Sequence, residues 1–251
     1  MKGLLKYIFH QEKKRKIDPV DLSVLHCDIH SHLLPGIDDG AQNLEESIAL
    51  IRGLREMGYH KFVTTPHIFW DMYRNTPEII RSRHSLLKEE LARHHLDIEI
   101  EAAAEYYLDE HFEEYIEKKE LLTFGQNYVL FELSFASEQP SFRRATFNMQ
   151  LNGYKPVLAH PERYSYWHRN LSKYEELDAQ GIMLQLNLSC LTDQYGKDVR
   201  KVAEWCIEHD LYSFVGTDCH HPGHIALGHE ARTNPYLRKL LRSEKLLNAS
   251  L

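Results

Sequence analysis

Short apolar runs alternate with amphipathic helical segments along almost the whole chain. Seven strands are predicted, at residues 24–28, 61–65, 98–103, 128–131, 156–159, 182–186 and 211–215. These runs are almost continuously apolar, which is typical of a parallel sheet buried on both faces. A chain of 251 residues is long enough for one α/β barrel. We therefore predict a single α/β domain built from seven strand–helix units.

The helical segments carry their own start signals. Asn43 precedes Glu46 by three residues, which is the spacing of a capping box. Thr76 and Pro77 place a proline at the first position of the next helix, and Asp109 is suited to cap the third. A last helix is predicted over about residues 235–247. No linker or change of composition divides the chain.

Composition excludes several classes of protein. The net charge of −7 argues against a nucleic-acid-binding surface, which would need a basic stripe. The four cysteines form no C-x-x-C pair, and they are expected to be reduced, buried residues of a cytoplasmic protein. None has an arginine six residues later, which excludes the Cys-x5-Arg phosphatases. No run of 18 apolar residues is present, so no membrane span is predicted.

Residues 1–22 are predicted to form an N-terminal arm ahead of a catalytic domain at 23–251. A short apolar piece precedes the basic cluster at 13–15, which is the reverse of a signal peptide. The arm is expected to pack loosely. A weak peripheral attraction to anionic lipid at the inner face of the membrane is the alternative.

Metal-type side chains stand at the ends of six of the seven strands. They are His30, His67, Glu105, Glu132, His160 and Asp218, and Asn187 takes the matching place on strand six. A closed ring of parallel strands aims all these ends at one mouth. If residues 24–32 continue as a strand, alternation also points His32 the same way as His30. The pattern predicts a site for several metal ions.

Imidazole and carboxylate donors together suit manganese, iron or zinc better than magnesium. Such ions lower the pKa of bound water and neutralise the charge that develops when phosphorus is attacked. The residues therefore indicate a metal-dependent phosphate hydrolase.

These motifs resemble those of the PHP (polymerase and histidinol phosphatase) superfamily. The matching stretches are Asp28-x-His30-x-His32, Thr65-Pro66-His67, Glu105-Tyr106-Tyr107, Glu132, His160-Pro161-Glu162-Arg163 and Asp218-Cys219-His220. The stretch at 32–41 is similar to the capsule and exopolysaccharide branch, the bacterial manganese-dependent protein-tyrosine phosphatases. The resemblance implies a distorted (β/α)7 TIM-like barrel of the PHP type, with the metals at the C-terminal ends of its strands.

The resemblance also implies a ligand set for two to three divalent ions. The ligands would be His30, His32, His67, Glu105, Glu132, His160, Asp218 and His220. One ion would lie among His30, His32, Glu105 and Asp218. Glu105 would bridge to a second ion held with His160 and Glu132, while His67 and His220 complete the cluster. Manganese is the expected metal, with iron or zinc as alternatives.

Other polar residues are candidates for catalysis or substrate binding. Arg163 is placed to bind phosphate through two hydrogen bonds, the alternative being a salt bridge at the rim. Asp28 is expected to orient a ligand. Asp38 or Asp39 could hold a metal-bound water or act as an acid, or cap a turn. Many members of the branch carry an arginine shortly after the last motif; this chain has none before Arg232, and His224 could substitute for it.

The predicted function is hydrolysis of phosphotyrosine by in-line attack of a metal-bridging hydroxide. The implied substrate is a bacterial tyrosine kinase at the membrane, or its targets, in capsule and exopolysaccharide biosynthesis. A phosphatase for a small ester such as histidinol phosphate is one alternative. A PHP phosphodiesterase or nuclease is another, which the negative net charge disfavours. The last alternative is a scaffold protein without catalytic activity.

Overall fold

The computed structural model describes residues 18–251, which form a mixed α/β fold with parallel sheets. The strands of this part of the chain are Cys27–Asp28 (β1), Lys61–Thr64 (β2), His67–Ile68 (β3), Glu99–Ala102 (β4), Glu105–Tyr107 (β5), Tyr128–Glu132 (β6), Lys155–Ala159 (β7), Met183–Asn187 (β8) and Tyr212–Gly216 (β9). Its α-helices are Leu44–Glu56 (α1), Pro77–Arg93 (α2), Glu110–Lys118 (α3), Phe142–Leu151 (α4), Ser172–Ala179 (α5), Lys197–Glu208 (α6), Pro222–Ala231 (α7) and Pro235–Leu240 (α8).

The strands pair in two parallel sheets. One has the order β1-β2-β4, and the other has the order β3-β5-β6-β7-β8-β9. Two strands of the first sheet lead directly into strands of the second. β2 leads through Pro66 into β3, and β4 leads through two alanines into β5. Each of these two predicted strands is thus followed by a second, short strand that begins at the metal-type residue, His67 or Glu105. Side chains of the strands are largely buried, as the apolar runs predicted.

Backbone contacts also join the first and last strands. Ser31 pairs with Cys219 in an isolated parallel bridge. The His32 N–H donates to the Cys219 carbonyl at 3.0 Å, and the Asp218 N–H donates to the His30 carbonyl at 2.8 Å. The segments that carry the histidine pair and Asp218 are therefore hydrogen-bonded to each other.

A buried asparagine makes a second link between these strands. Asn248 donates through Nδ2 to the carbonyls of Cys27 at 2.9 Å and Val215 at 2.7 Å. Its Oδ1 accepts the Val215 N–H at 2.9 Å. One side chain thus connects β1 to β9.

The predicted helix starts are confirmed. The Asn43 side chain accepts the Glu46 N–H at 2.9 Å, Thr76 accepts at the start of α2, and Asp109 accepts the Phe112 N–H at 3.0 Å. The predicted last helix is wrong in length, since α8 ends at Leu240 and the chain then turns back beneath the sheets.

Helix α7 was not predicted from the sequence. Its segment contains Pro222, Gly223 and Gly228, which are poor helix formers in isolation. Packing explains one of them, because a Cβ at Gly228 would lie 2.8 Å from the Met57 sulfur. The glycine lets α7 approach the end of α1 closely.

The first predicted strand is shorter than expected. Ser23–Leu25 is a 3₁₀ helix, and His26 at its end has a φ of +60°, so the strand comprises only Cys27–Asp28. His30 and His32 lie beyond it, and their common direction depends on the bridge to Cys219 rather than on an extended strand.

Of the predicted arm, residues 1–17 lie outside the described residues. Val20 and Leu22 are buried, and the Val20 N–H donates to the Arg232 carbonyl at 2.9 Å. The division of the chain at residue 22 stays a prediction. No helix among residues 18–251 is long and apolar enough to cross a membrane. The four cysteines are buried and free.

Candidate metal centre

A cavity of about 400 Å³ lies where the C-terminal ends of the strands meet. All eight predicted ligands form one contact network, and all but the fully buried His30 and His32 line this cavity: His30, His32, His67, Glu105, Glu132, His160, Asp218 and His220. Six of the eight have side chains less than a tenth exposed, although all are polar, and those of His67 and His220 are 13% exposed. Three groups of donor atoms within this network are close enough to share an ion.

The first group comprises His30, His32, Glu105 and Asp218. The His30 Nε2 is 3.1 Å from Glu105 Oε2 and 3.3 Å from Asp218 Oδ1. The His32 Nε2 is 3.4 Å and 3.6 Å from the same two oxygens, and the two Nε2 atoms are 3.4 Å apart. Donors bound tetrahedrally at about 2.1 Å from one ion would be about 3.4 Å apart. The spacing fits a metal ion.

The second group comprises His67, Glu105 and Glu132. The His67 Nδ1 is 3.3 Å from Glu105 Oε2 and 3.4 Å from Glu132 Oε1. On the other side, the His160 Nε2 is 3.0 Å from Glu105 Oε1 and 3.8 Å from Glu132 Oε2. Glu105 therefore reaches both the first and the second group.

The third group brings in Asp39, together with His32, His67 and His220. Asp39 Oδ1 is 3.6 Å from His67 Nε2 and 3.4 Å from His220 Nε2. The rings of His32 and His220 stack at 3.8 Å. Asp39 was singled out from the sequence as a catalytic candidate, and here it lies among metal-type donors.

Hydrogen bonds on the far side of two rings determine which nitrogen faces the centre. His30 Nδ1 lies 2.9 Å from Gln185 Oε1, and His32 Nδ1 lies 2.8 Å from Asp38 Oδ2. Both oxygens only accept, so each Nδ1 carries the proton and each Nε2 presents a lone pair to the centre. Gln185 was not predicted, because it lies inside the sixth strand and matches no motif.

Asp38 is an orienting residue. Besides His32, it accepts the N–H of Gly40 at 3.0 Å and that of His67 at 3.1 Å. The loop is tight, since a Cβ at Gly40 would lie 2.2 Å from the His32 carbonyl oxygen. Burial opposes ionisation of Asp38, but the neighbouring His32 lowers its pKa. Both carboxylate oxygens of Asp38 therefore already accept hydrogen bonds from other residues of the protein.

Asp28 does not contact a ligand ring. It accepts from Thr217 through the N–H at 2.9 Å and the hydroxyl at 2.6 Å. Burial raises its pKa to about 6. Because Thr217 directly precedes Asp218, Asp28 supports the backbone of that ligand, and it also accepts the His30 N–H at 3.5 Å.

Two side chains hold the other oxygen of Asp218. Asn187 Nδ2 donates to Oδ2 at 2.7 Å, and Arg163 Nη1 donates to the same oxygen at 3.3 Å. Oδ1 is left facing the histidines of the first group. Arg163 is therefore paired with Asp218 and also lines the cavity, and its binding of phosphate stays a prediction.

The site combines basic rings with buried acids. Burial would lower the pKa of His30, but the carboxylates of Glu105 and Asp218 outweigh it and raise that pKa. Burial and the negative charges of Glu105 and Asp218 raise the pKa of Glu132. Burial lowers the pKa of His67 to about 4. Bound metal cations would compensate the buried carboxylates and would replace the protons that these groups otherwise hold.

Three buried polar atoms at the centre have no hydrogen-bond partner among the described residues. They are His67 Nδ1, Glu105 Oε2 and His160 Nδ1. Glu105 Oε2 is within 3.4 Å of three imidazole nitrogens. Orphaned polar groups are costly in a protein interior. A cation beside Glu105 Oε2 and His67 Nδ1 would satisfy both atoms, so the residues fit the implied metal ions.

His224, the second predicted substrate-binding residue, lies at the rim of the cavity. Its Nδ1 accepts the His220 N–H at 3.1 Å, which places the ring proton on Nε2. Burial lowers the pKa of His224 to about 4, so the ring is neutral. It can donate one hydrogen bond but lacks the charge of an arginine.

The geometry defines a metal-dependent hydrolase site at the strand ends of an α/β fold. The family described as capsular polysaccharide synthesis, CpsB/CapC, matches residues 26–239. The chain belongs to this family.

Relatives of known activity cover most of the chain. Tyrosine-protein phosphatase CpsB of Streptococcus pneumoniae is 32% identical over 201 residues, which cover 77% of this chain and 82% of the relative. Tyrosine-protein phosphatase YwqE of Bacillus subtilis is 29% identical over 194 residues, or 77% of this chain and 76% of the relative.

The fold is also that of a solved relative. A structure from the study of YwqE and CpsB, described there as unique metal-dependent tyrosine phosphatases, matches with a TM-score of 0.78. The sequence identity is 28%, and the match covers 87% of this chain and 89% of that chain.

Proposed function

We propose that the protein is a metal-dependent protein-tyrosine phosphatase that acts in capsule or exopolysaccharide synthesis. One observation carries the proposal. Glu105 Oε2 lies 3.1 to 3.4 Å from nitrogens of three histidines without a hydrogen bond, at the floor of an open cavity. Membership of the family and the tyrosine-phosphatase activity for which its relatives are named support phosphotyrosine as the phosphoester.

The finer architecture is proposed as a distorted (β/α)7 barrel spanning residues 23–251. The β1–β9 contacts support it, as does the continuity of β2 with β3 and of β4 with β5. In this arrangement seven strand positions surround one mouth, and the predicted ligands come from six of them.

Two to three divalent ions are proposed for the centre, with manganese preferred and iron or zinc as alternatives. The ligands are the eight predicted residues, and the third group adds Asp39. When bound, such ions lower the pKa of water and neutralise charge on phosphate oxygens. Burial opposes ionisation of Asp39, but the neighbouring His220 and His67 lower its pKa to about 2. We therefore assign Asp39 as a ligand rather than an acid.

Arg163 and His224 are proposed to bind the phosphate. Arg163 presents a permanent positive charge to the cavity. Its planar guanidinium group can donate two hydrogen bonds to a pair of phosphate oxygens. His224 offers the Nε2 proton as one further donor. Phosphate binding then depends on one charged group and the metal ions, where the branch has two arginines.

The proposed substrate is a phosphotyrosine protein, in particular a tyrosine kinase at the bacterial membrane. A cytoplasmic location is proposed, in keeping with four free buried thiols. The negative net charge of −7 disfavours nucleic acid as a substrate.

A comparison of substrates tests the proposal. We expect purified protein to contain two or three transition-metal ions per chain by elemental analysis, and none per chain would contradict the metal centre. With manganese added, kcat/KM for a phosphotyrosine peptide should exceed that for histidinol phosphate, and a chelator should abolish both. The reverse ranking would identify a small-molecule phosphatase instead.

A further inference from the structure

The guanidinium group of Arg163 lies between two aromatic rings. Its central carbon is 4.5 Å from the ring centre of Phe135 and 4.5 Å from that of Tyr195. One edge of the group donates to Asp218 Oδ2 at 3.3 Å. Contact with two rings and a hydrogen bond at one edge leave the group little freedom to rotate. Neither ring was identified from the sequence.

The two rings differ in what lies on their other side. Tyr195 follows the 3₁₀ helix Leu188–Leu191 and is only partly exposed, and burial raises its pKa to about 12, so the hydroxyl keeps its proton. Phe135 follows β6, and 45% of its surface is exposed. An exposed aromatic side chain in the wall of a cavity can contact a bound ligand.

Phe135 also lies next to the candidate metal centre. Its ring centre is 5.6 Å from that of His160, and the side chain lines the same cavity as Arg163. In an aryl phosphate the ring is one oxygen atom away from phosphorus. A phosphate held by Arg163 and the metal ions therefore brings such a ring within reach of Phe135.

We propose that Phe135 determines specificity: its exposed face contacts the aromatic ring of the substrate, so the site selects aryl over alkyl phosphates. Tyr195 is a positioning residue that holds Arg163. This inference rests on the proposed function and adds the residue that recognises the aryl group.

Two phosphonates that are not hydrolysed separate the two roles. Phenylphosphonate and methylphosphonate share the anionic group, and only the first has a ring. Binding of each to the manganese-loaded protein is measured by titration calorimetry. The wild-type protein should prefer phenylphosphonate, and Phe135→Leu should reduce this preference by about three- to tenfold, the usual worth of an aromatic pair.

Three further variants complete the design. Tyr195→Leu should weaken both ligands by the same factor and leave the preference intact, because it acts through Arg163. Phe135→Trp should retain the preference. Phe147→Leu removes an exposed ring from α4 outside the cavity and should change neither affinity. Melting curves check that each variant is folded.

The outcomes distinguish this inference from the proposed function. If the wild-type protein shows no preference, or if Phe135→Leu weakens both ligands equally, the role of Phe135 is wrong. Failure of the wild-type protein to hydrolyse a phosphotyrosine peptide would contradict the proposed function, whatever the phosphonate affinities are.

Discussion

Adjacent residues of the same type do different things at this site. Asp38 is buried, and its two carboxylate oxygens accept hydrogen bonds from His32 Nδ1 and from the backbone N–H groups of Gly40 and His67. The side chain of Asp39 is 54% exposed and points toward His67 and His220. The direction in which each leaves the tight loop, rather than its chemistry, decides its role.

Gln185 is expected to contribute to metal affinity without touching the metal. Gln185→Leu removes the acceptor that holds His30 Nδ1–H, so the ring can turn or change tautomer. Residues of this kind typically change metal affinity by about 10- to 100-fold. Metal-binding titrations should show a loss of this size, while Gln185→Glu, which keeps an acceptor, should lose less. Equal affinity of Gln185→Leu and wild type would refute the role.

Metal affinity should rise with pH. His30 and His32 must lose a proton to bind an ion, and nearby carboxylates raise the pKa of both rings above the usual 6.5, although burial opposes this. The protonated rings therefore persist above pH 6.5 in the metal-free protein, and each proton released steepens the dependence by about tenfold per pH unit. Titrations with manganese from pH 6 to pH 8 in two buffers will count these protons. An affinity independent of pH in this range would contradict the assignment.

At the scale of elements, the site depends on how the first and last strands are joined. β1 leads directly into the histidine pair, and β9 leads into Asp218. Backbone hydrogen bonds join the segments that follow these strands, and Asn248 joins Cys27 of β1 to Val215 of β9. The relative position of three ligands of the first group therefore depends on a residue near the end of the described chain.

Asn248→Ala should destabilise this junction. The variant leaves the buried carbonyls of Cys27 and Val215 and the Val215 N–H without their partner, and the expected loss is about 2–3 kcal/mol in the free energy of unfolding. Urea denaturation measures it, and manganese titration should show a parallel loss of affinity. Ser250→Ala is a matched control, because that hydroxyl is exposed and bonds only within its own turn. A variant as stable as this control would contradict the assigned role.

At the scale of the whole molecule, the candidate metal centre buries several negatively charged carboxylates close together. Three carboxylates, Glu105, Glu132 and Asp218, are buried within one network. Burying like charges together is unfavourable unless cations compensate them. Metal binding is therefore expected to stabilise the folded state.

Chelation should lower the melting temperature. At a metal concentration 1,000 times the Kd, binding contributes about 4 kcal/mol, which corresponds to a shift of roughly 10 °C for a domain of this size. Scanning calorimetry with manganese and with a chelator measures the difference. Asp218→Asn should shrink it, because one ligand loses its charge. Identical melting temperatures with and without chelator would argue against a structural contribution from the metal.

Most of the donor positions could be predicted because the fold repeats. Six of the seven apolar runs end at a metal-type residue, the resemblance to the PHP superfamily implied the full set of eight ligands, and the structure brings all eight into one network. Asn43, Thr76 and Asp109 mark helix starts by local hydrogen bonding, which a sequence displays directly. Helix α7 was missed since its glycine and proline content opposes a helix locally and only tertiary packing favours it.

The sequence by itself determined the fold class, the predicted donors and the family, because hydrophobic periodicity and motif spacing are local properties. The tertiary structure alone decided that Asp38 orients His32 and that Asp39 lies among the metal-type donors. It also decided that Gln185 orients His30 and that Phe135 and Tyr195 enclose Arg163. These contacts join residues far apart in the chain and repeat at no interval, so nothing short of the folded arrangement of the strands and loops could bring them together.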